Sequence, residues 1–285
     1  MLCKDLPARQ PVAERSTAGE FPWYILHLHL SQAILLFSAA VIAGTLNAVA
    51  GGGSFISFPV LLFTGMPPVQ ANATNTVALW PGLAASSGAY WKRLNLSRRL
   101  LVALLAGSVV GGLAGALLLI KTPQHTFLHL IPWLLLGGTL LFTFGNRIRA
   151  MAGKTAGVDD LRHTPWQAIT VVSILQILVG TYGGYFGAGI GFMMMGMLAA
   201  LGMRDIHAMG AIRTLLAAVI NAVAVVTFIL AGVVFWPQCV VMIAGALLGG
   251  WFGAHYAQKV DPQKVRYVVI AMGIAMSVYF FATVH

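Results

Sequence analysis

The chain has 285 residues, 59% of them hydrophobic and only 8% charged, with a mean hydropathy of +0.85. Soluble domains carry about 25% charged residues, so a water-facing globule is excluded and the sequence reads as a multi-pass protein of the lipid bilayer. A net charge of +10 would suggest nucleic acid in a soluble protein; here most basic residues fall in short loops between apolar runs, as a positive-inside bias produces, and no nucleic-acid partner is expected.

Residues 1–24 form a polar tail without the apolar core of a secretory signal. Apolar runs follow at 25–50, 54–64, 71–91, 98–120, 127–146, 165–183, 187–201, 207–231, 236–257 and 265–284. Most approach the roughly 20 residues that span a bilayer as a helix. The runs at 54–64 and 187–201 are short, and each adjoins a glycine cluster, "AGGGSF" and "GGYFGAGIGF". Glycine weakens a helix by about 1 kcal/mol relative to alanine, so these clusters mark breaks. A polar connector at 147–164 divides the runs five and five. The fold class is therefore an all-α polytopic membrane protein with 8–10 transmembrane segments: a tail (1–24), a first repeat (25–146), a cytoplasmic connector (147–164) and a second repeat (165–285).

At one constant offset Gly52 matches Gly189, Phe55 matches Phe192, and Gly65-Met66 matches Gly202-Met203. The order of long run, glycine cluster, short run, Gly-Met loop and long run thus recurs. Loop charge separates the copies. Lys92, Arg93, Arg98 and Arg99 crowd one loop, whereas its counterpart at 232–237 has no basic residue. Lys259, Lys264 and Arg266 stand opposite a loop with Lys121 alone. Corresponding loops favour opposite sides, which predicts inverted repeats.

All seven carboxylates, Asp5, Glu14, Glu20, Asp159, Asp160, Asp205 and Asp261, lie outside the apolar runs. Cation transporters and proton relays place such groups within the membrane as counter-charges, so both are disfavoured. Cys3 and Cys239 have no metal or redox spacing, and His125 and His129 lie at a membrane boundary without a nearby carboxylate. No metal or cofactor is expected. Arg213 is the clear ionisable group inside an apolar run. One reading has it snorkelling to the headgroups; the other makes it a fixed cation whose paired donors suit carboxylate, sulfite or sulfonate oxygens.

Uncharged polar residues gather near the breaks: Asn47, Gln70, Asn72, Thr74, Asn75 and Thr76, with Asn221 two turns beyond Arg213. They read either as cross-helix bonds and caps or as the lining of a polar cavity. "GGLAGALLL" and "GALLGGWFGA" read as close-packing stripes, and "MMMGM" as adaptable packing.

The stretches "AGGGSFISFPVLLFTGMPPVQANATN" and "GTYGGYFGAGIGFMMMGMLAALGMRDIHAMGAIRTLLAAVINAVAVVTF" resemble the TauE/SafE sulfite exporter family, and the likeness covers about residues 30 to 284. The resemblance implies transport of sulfite, sulfoacetate or related organosulfonates, often outward, although members with other substrates are known. Its first signature falls on Gly51, Gly52, Gly53, Pro59, Gly65, Ala71, Thr74 and Asn75. Its second falls on Gly183, Gly184, Gly187, Gly189, Gly191, Gly202, Arg213 and Asn221. Where similar members read Asn-Ala-Leu-Lys-Asn, this chain reads "GAIRT" at 210–214, keeping the charge and dropping two amides.

The expectation is a non-enzymatic transporter of a small sulfur-containing anion in the inner (plasma) membrane. The anion would bind at Asn47, Gly51, Gly52, Gly53, Asn72, Thr74, Asn75, Gly187, Gly189, Gly191, Arg213 and Asn221. The rivals are a permease for another small anion, a non-transporting membrane subunit or sensor, and an intramembrane hydrolase built on Ser54. The last lacks a nucleophile-elbow motif and a histidine central in a long run.

Overall fold

A computed structural model describes residues 29–49, 52–90, 97–155, 166–201, 203, 205–256 and 262–284. Those residues form ten helices and no strand: α1 (Leu30–Val49), α2 (Ser54–Phe63), α3 (Pro68–Tyr90), α4 (Arg98–Lys121), α5 (Gln124–Thr155), α6 (Trp166–Tyr185), α7 (Ile190–Ala200), α8 (Ile206–Leu230), α9 (Trp236–Tyr256) and α10 (Pro262–Val284). The tail, Gly51, Gly202 and most of the connector lie outside the described residues.

Helix ends follow local chemistry. Proline opens α3 and α10, where its missing N–H costs nothing. Ser97 caps α4 by accepting from the Leu100 N–H at 3.3 Å. The third run starts at Pro68 rather than 71 because Gln124 accepts the Val69 N–H at 2.9 Å and secures that first turn. Helix α5 has 32 residues and continues through Thr155, so the connector expected from 147 begins as helix. Its charges end the apolar run, but "RIRAMA" is made of residues that propagate a helix in water as well as in lipid.

Helices α2 and α7 have 10 and 11 residues. At 1.5 Å per residue each spans about 15 Å, half the roughly 30 Å hydrocarbon layer. Both are wrapped by protein: Phe55, Ile56, Ser57, Phe58, Pro59 and Leu61 of α2 are buried, as are Ile190, Met194, Met197 and Leu198 of α7.

The long helices find their main partners across the chain midpoint. Helix α1 packs on α9 and α4 on α6; α3 crosses α8, and α5 lies along α10. Exchanging α1–α5 with α6–α10 leaves these pairings unchanged. The glycine stripes set the close approaches. A Cβ at Gly111 would overlap the Ile177 carbonyl, one at Gly115 the Thr181 carbonyl, and one at Gly249 the Val41 carbonyl. Thr45 also donates to the Gly249 carbonyl at 2.9 Å. The α4–α6 pair carries a buried polar contact, Gln176 Nε2 donating to Ser108 Oγ at 2.8 Å. In the α1–α9 pair, Ala40 and Ala246 are buried instead.

Exposed side chains on the outer helices are largely apolar, among them Val102, Leu118, Trp133, Leu178, Val226, Val240 and Val278. Among the described residues, four helices are long and apolar enough to cross a membrane. Two hydrophobic clusters fill the interior, one around α1, α2, α3, α5 and α9, the other around α4, α6, α7 and α8. Tyr182 packs against both.

Candidate anion site at the second helix break

Helix α6 ends at Tyr185, and the chain turns through Gly187 (φ +81°) and Gly189 (φ +82°) before α7 begins. Those angles lie in the left-handed region that glycine enters without steric cost. Two side chains hold the turn. Asn72 Nδ2 donates to the Tyr185 carbonyl at 2.9 Å, reaching over from α3. The Tyr182 hydroxyl donates to the Ala188 carbonyl at 2.7 Å. No side chain caps α7. Among the described residues, the Gly189 and Gly191 N–H groups have no hydrogen-bond partner.

Arg213, half-buried on α8, lies against this helix start. A Cβ on Gly191 would stand 3.0 Å from its Nη1 and 3.2 Å from its Cδ, so glycine leaves the room that the guanidinium occupies. The positive end of the α7 dipole and a fixed cation thus share one place. Together they favour a negative group between them.

The first break is built differently. Gly53 is right-handed helical, φ −60° and ψ −34°, and its lack of a side chain serves close packing: a Cβ there would overlap the Ala43 carbonyl of α1. Asn47 Oδ1 accepts the Gly53 N–H at 2.8 Å. The Phe55, Ile56 and Ser57 N–H groups turn to the Gly52 and Gly53 carbonyls. Ser57 Oγ donates to Asn75 Oδ1 at 2.5 Å and lies 3.2 Å from the Gly53 carbonyl. At α7 the Ile190 and Phe192 N–H groups likewise turn to the Gly187 and Gly189 carbonyls; the difference is that Asn47 takes up the Gly53 N–H at the first break, whereas no side chain caps the second.

The breaks meet at Gly138 of α5. A Cβ there would be 3.0 Å from Phe55 Cζ, 3.1 Å from the Ala188 carbonyl and 3.4 Å from the Tyr182 hydroxyl. Phe58 of α2 sets its ring edge-on to Phe186 with centroids 5.6 Å apart.

The structure thus gathers Gly187, Gly189, Gly191 and Arg213 in one place, with Asn72 bonded to the same turn. Asn47, Gly52, Gly53 and Asn75 belong to the α1–α2–α3 junction. Thr74 accepts the Phe235 N–H at 3.0 Å, at the start of α9. Asn221 donates to the Ala217 carbonyl of its own helix at 2.8 Å. Sequence reasoning missed Tyr182 and Gly138. The signal for Tyr182 was its place in "GTYGGY", one turn before the break and flanked by glycine.

Asn72→Leu should lower stability by about 1 kcal/mol, the size of a hydrogen bond between membrane helices. Thermal unfolding of the detergent-solubilised protein measures it, and an unchanged midpoint would remove Asn72 as a tie to the break.

A profile of the family described as "Sulfite exporter TauE/SafE" matches residues 36–280. The chain belongs to the TauE/SafE family. It is similar to "Probable membrane transporter protein ORF9" of Sinorhizobium sp, 30% identical over 87% of this chain and 91% of the relative. A "Probable membrane transporter protein" of Haemophilus influenzae is 27% identical over 85% and 92% of the two chains. "Probable membrane transporter protein YfcA" of Escherichia coli K12 is 28% identical over 85% and 87%. No solved structure matches the chain significantly. The TauE/SafE match runs from within α1 to within α10, so it takes in both breaks and Arg213. The protein is accordingly a multi-pass membrane transporter.

Proposed function

We propose that this TauE/SafE member carries a small sulfur-containing anion, sulfite, sulfoacetate or another organosulfonate, outward across the inner (plasma) membrane. The observation that carries the reading is the Arg213 guanidinium lying on the Gly191 turn at the start of α7. A planar guanidinium offers paired donors to two oxygens of one anion. The Gly189 and Gly191 N–H groups add donors to a third, and all seven carboxylates lie outside the apolar runs.

The partner exchange among helices supports a duplicated, inverted unit, the architecture in which discontinuous helices hold substrate between two halves. Export of a monoanion needs no coupling ion, because an inside-negative potential favours it by about 2.3 kcal/mol per charge per 100 mV.

The test is flux of labelled sulfite, sulfoacetate and taurine in proteoliposomes under an imposed potential. Saturable flux of a sulfur anion is expected. Flux equal to that of empty liposomes for all three would remove the substrate class.

A further inference from the structure

We propose that Tyr182 is a positioning residue that aims the Gly189 N–H at the anion by holding the Ala188–Gly189 peptide in one orientation. The inference rests on the anion site proposed at α7 and names the device that gives that site its sign.

The argument is stereochemical. In a trans peptide the carbonyl and the N–H of the same plane point in opposite directions, and the described residues contain no cis bond. The Ala188 carbonyl takes the Tyr182 hydroxyl at 2.7 Å, and both crowd Gly138 on the α5 side. The Gly189 N–H therefore leaves on the side away from α5. Helix α7 packs against α5 and also against α8, and Arg213 reaches the start of α7 from α8. On this proposal the N–H and the Arg213 guanidinium share one anion on that side.

Backbone bonds hold the ends of the turn, Gly187 N–H to the Tyr182 carbonyl and Ile190 N–H to the Gly187 carbonyl, but the Ala188–Gly189 peptide between them can flip without breaking either. Gly187 and Gly189 both stand at positive φ, and glycine populates both signs of φ about equally. A flipped Ala188–Gly189 peptide would present the carbonyl oxygen where the N–H now points, placing an acceptor dipole against an anion. The Tyr182 bond selects the orientation that attracts. Its own ring cannot easily swing away, being packed against both hydrophobic clusters and edge-on to Phe186 at 6.5 Å between centroids. Gly138 completes the arrangement, since a methyl group there would press on the Ala188 carbonyl at 3.1 Å and on Phe55 Cζ at 3.0 Å.

Tyr182→Phe removes the bond and keeps the ring. With sulfite as the probe, proteoliposome flux measured against concentration should show KM raised about tenfold, the size of one lost hydrogen bond at a binding site. The maximal rate should stay within about twofold, and the melting temperature without sulfite should fall only by the small amount that one lost hydrogen bond between membrane helices costs, about 1 kcal/mol. Gly138→Ala should raise KM in the same direction by pressing on the Ala188 carbonyl that the hydroxyl holds. Tyr279→Phe, which removes a hydroxyl from an exposed tyrosine of α10 and keeps its ring, serves as the control and should match wild type.

Arg213→Ala, run in parallel, separates the two ideas. If it loses flux while Tyr182→Phe keeps the wild-type KM, the positioning role is overturned and the anion site stands. A Tyr182→Phe protein that melts lower with KM unchanged overturns the role in the same way. If Arg213→Ala behaves as wild type, the anion site falls, and the role of Tyr182 falls with it.

Discussion

Arg213→Ala should cut sulfite flux at low concentration by about 30- to 100-fold. Removing one partner of a buried, hydrogen-bonded charge pair costs about 2–5 kcal/mol, and a half-buried guanidinium belongs at the lower end of that range. Each 1.4 kcal/mol is about tenfold. Arg213→Lys keeps the charge and loses the planar fork, so it should fall between, with about a tenfold loss. The ordering wild type, lysine, alanine is the informative outcome. Equal losses for lysine and alanine would mean that geometry outweighs charge, and no loss for either would take Arg213 out of the transport path. Amount and melting temperature of the purified variants check that the effect is local, since Gly191 leaves room on the α7 side and a shorter side chain strains nothing.

The largest effect on stability is expected at Gly249. A Cβ there would overlap the Val41 carbonyl of α1, so Gly249→Val forces α1 and α9 apart along their contact and breaks the Thr45 bond to the Gly249 carbonyl. Overpacking of this kind costs about 3 kcal/mol, a large share of a typical folding free energy. The neighbouring Gly250 is the control. A Cβ at that position meets nothing within 4 Å, so Gly250→Ala should be neutral or slightly stabilising through better helix propensity. Thermal unfolding of the two variants in one detergent gives the comparison. If Gly249→Val melts with wild type, the close approach of α1 and α9 does not exist in the membrane protein.

The ten helices were legible because each apolar run had a physical end: a proline, a charged loop or a glycine cluster. Close-packing stripes were legible too, since small residues at helical spacing have one main use in lipid. The polar side chains were not. Asn72 and Asn75 stand close together in sequence, yet one reaches the end of α6 and the other meets Ser57 of α2. Those bonds depend on which helices become neighbours, and a single sequence does not encode that locally. The glycines misled in a similar way. Gly53 and Gly189 look alike in sequence, but the first serves backbone contact and the second a left-handed turn. The helical start of the connector was hidden because the apolar pattern reports membrane depth, whereas helix propensity continues beyond it.

The exchange of helix partners has a consequence for how the protein is made. Helices leave the ribosome in order, and α6 emerges to find α4 already in the membrane. Helix α1 has no such fortune: its matched surface, where Gly44 meets the Ala246 backbone, waits for α9. During most of synthesis that surface faces lipid or the insertion machinery. A nascent chain stopped before its ninth helix would thus leave the α1 surface around Gly44 without its α9 partner.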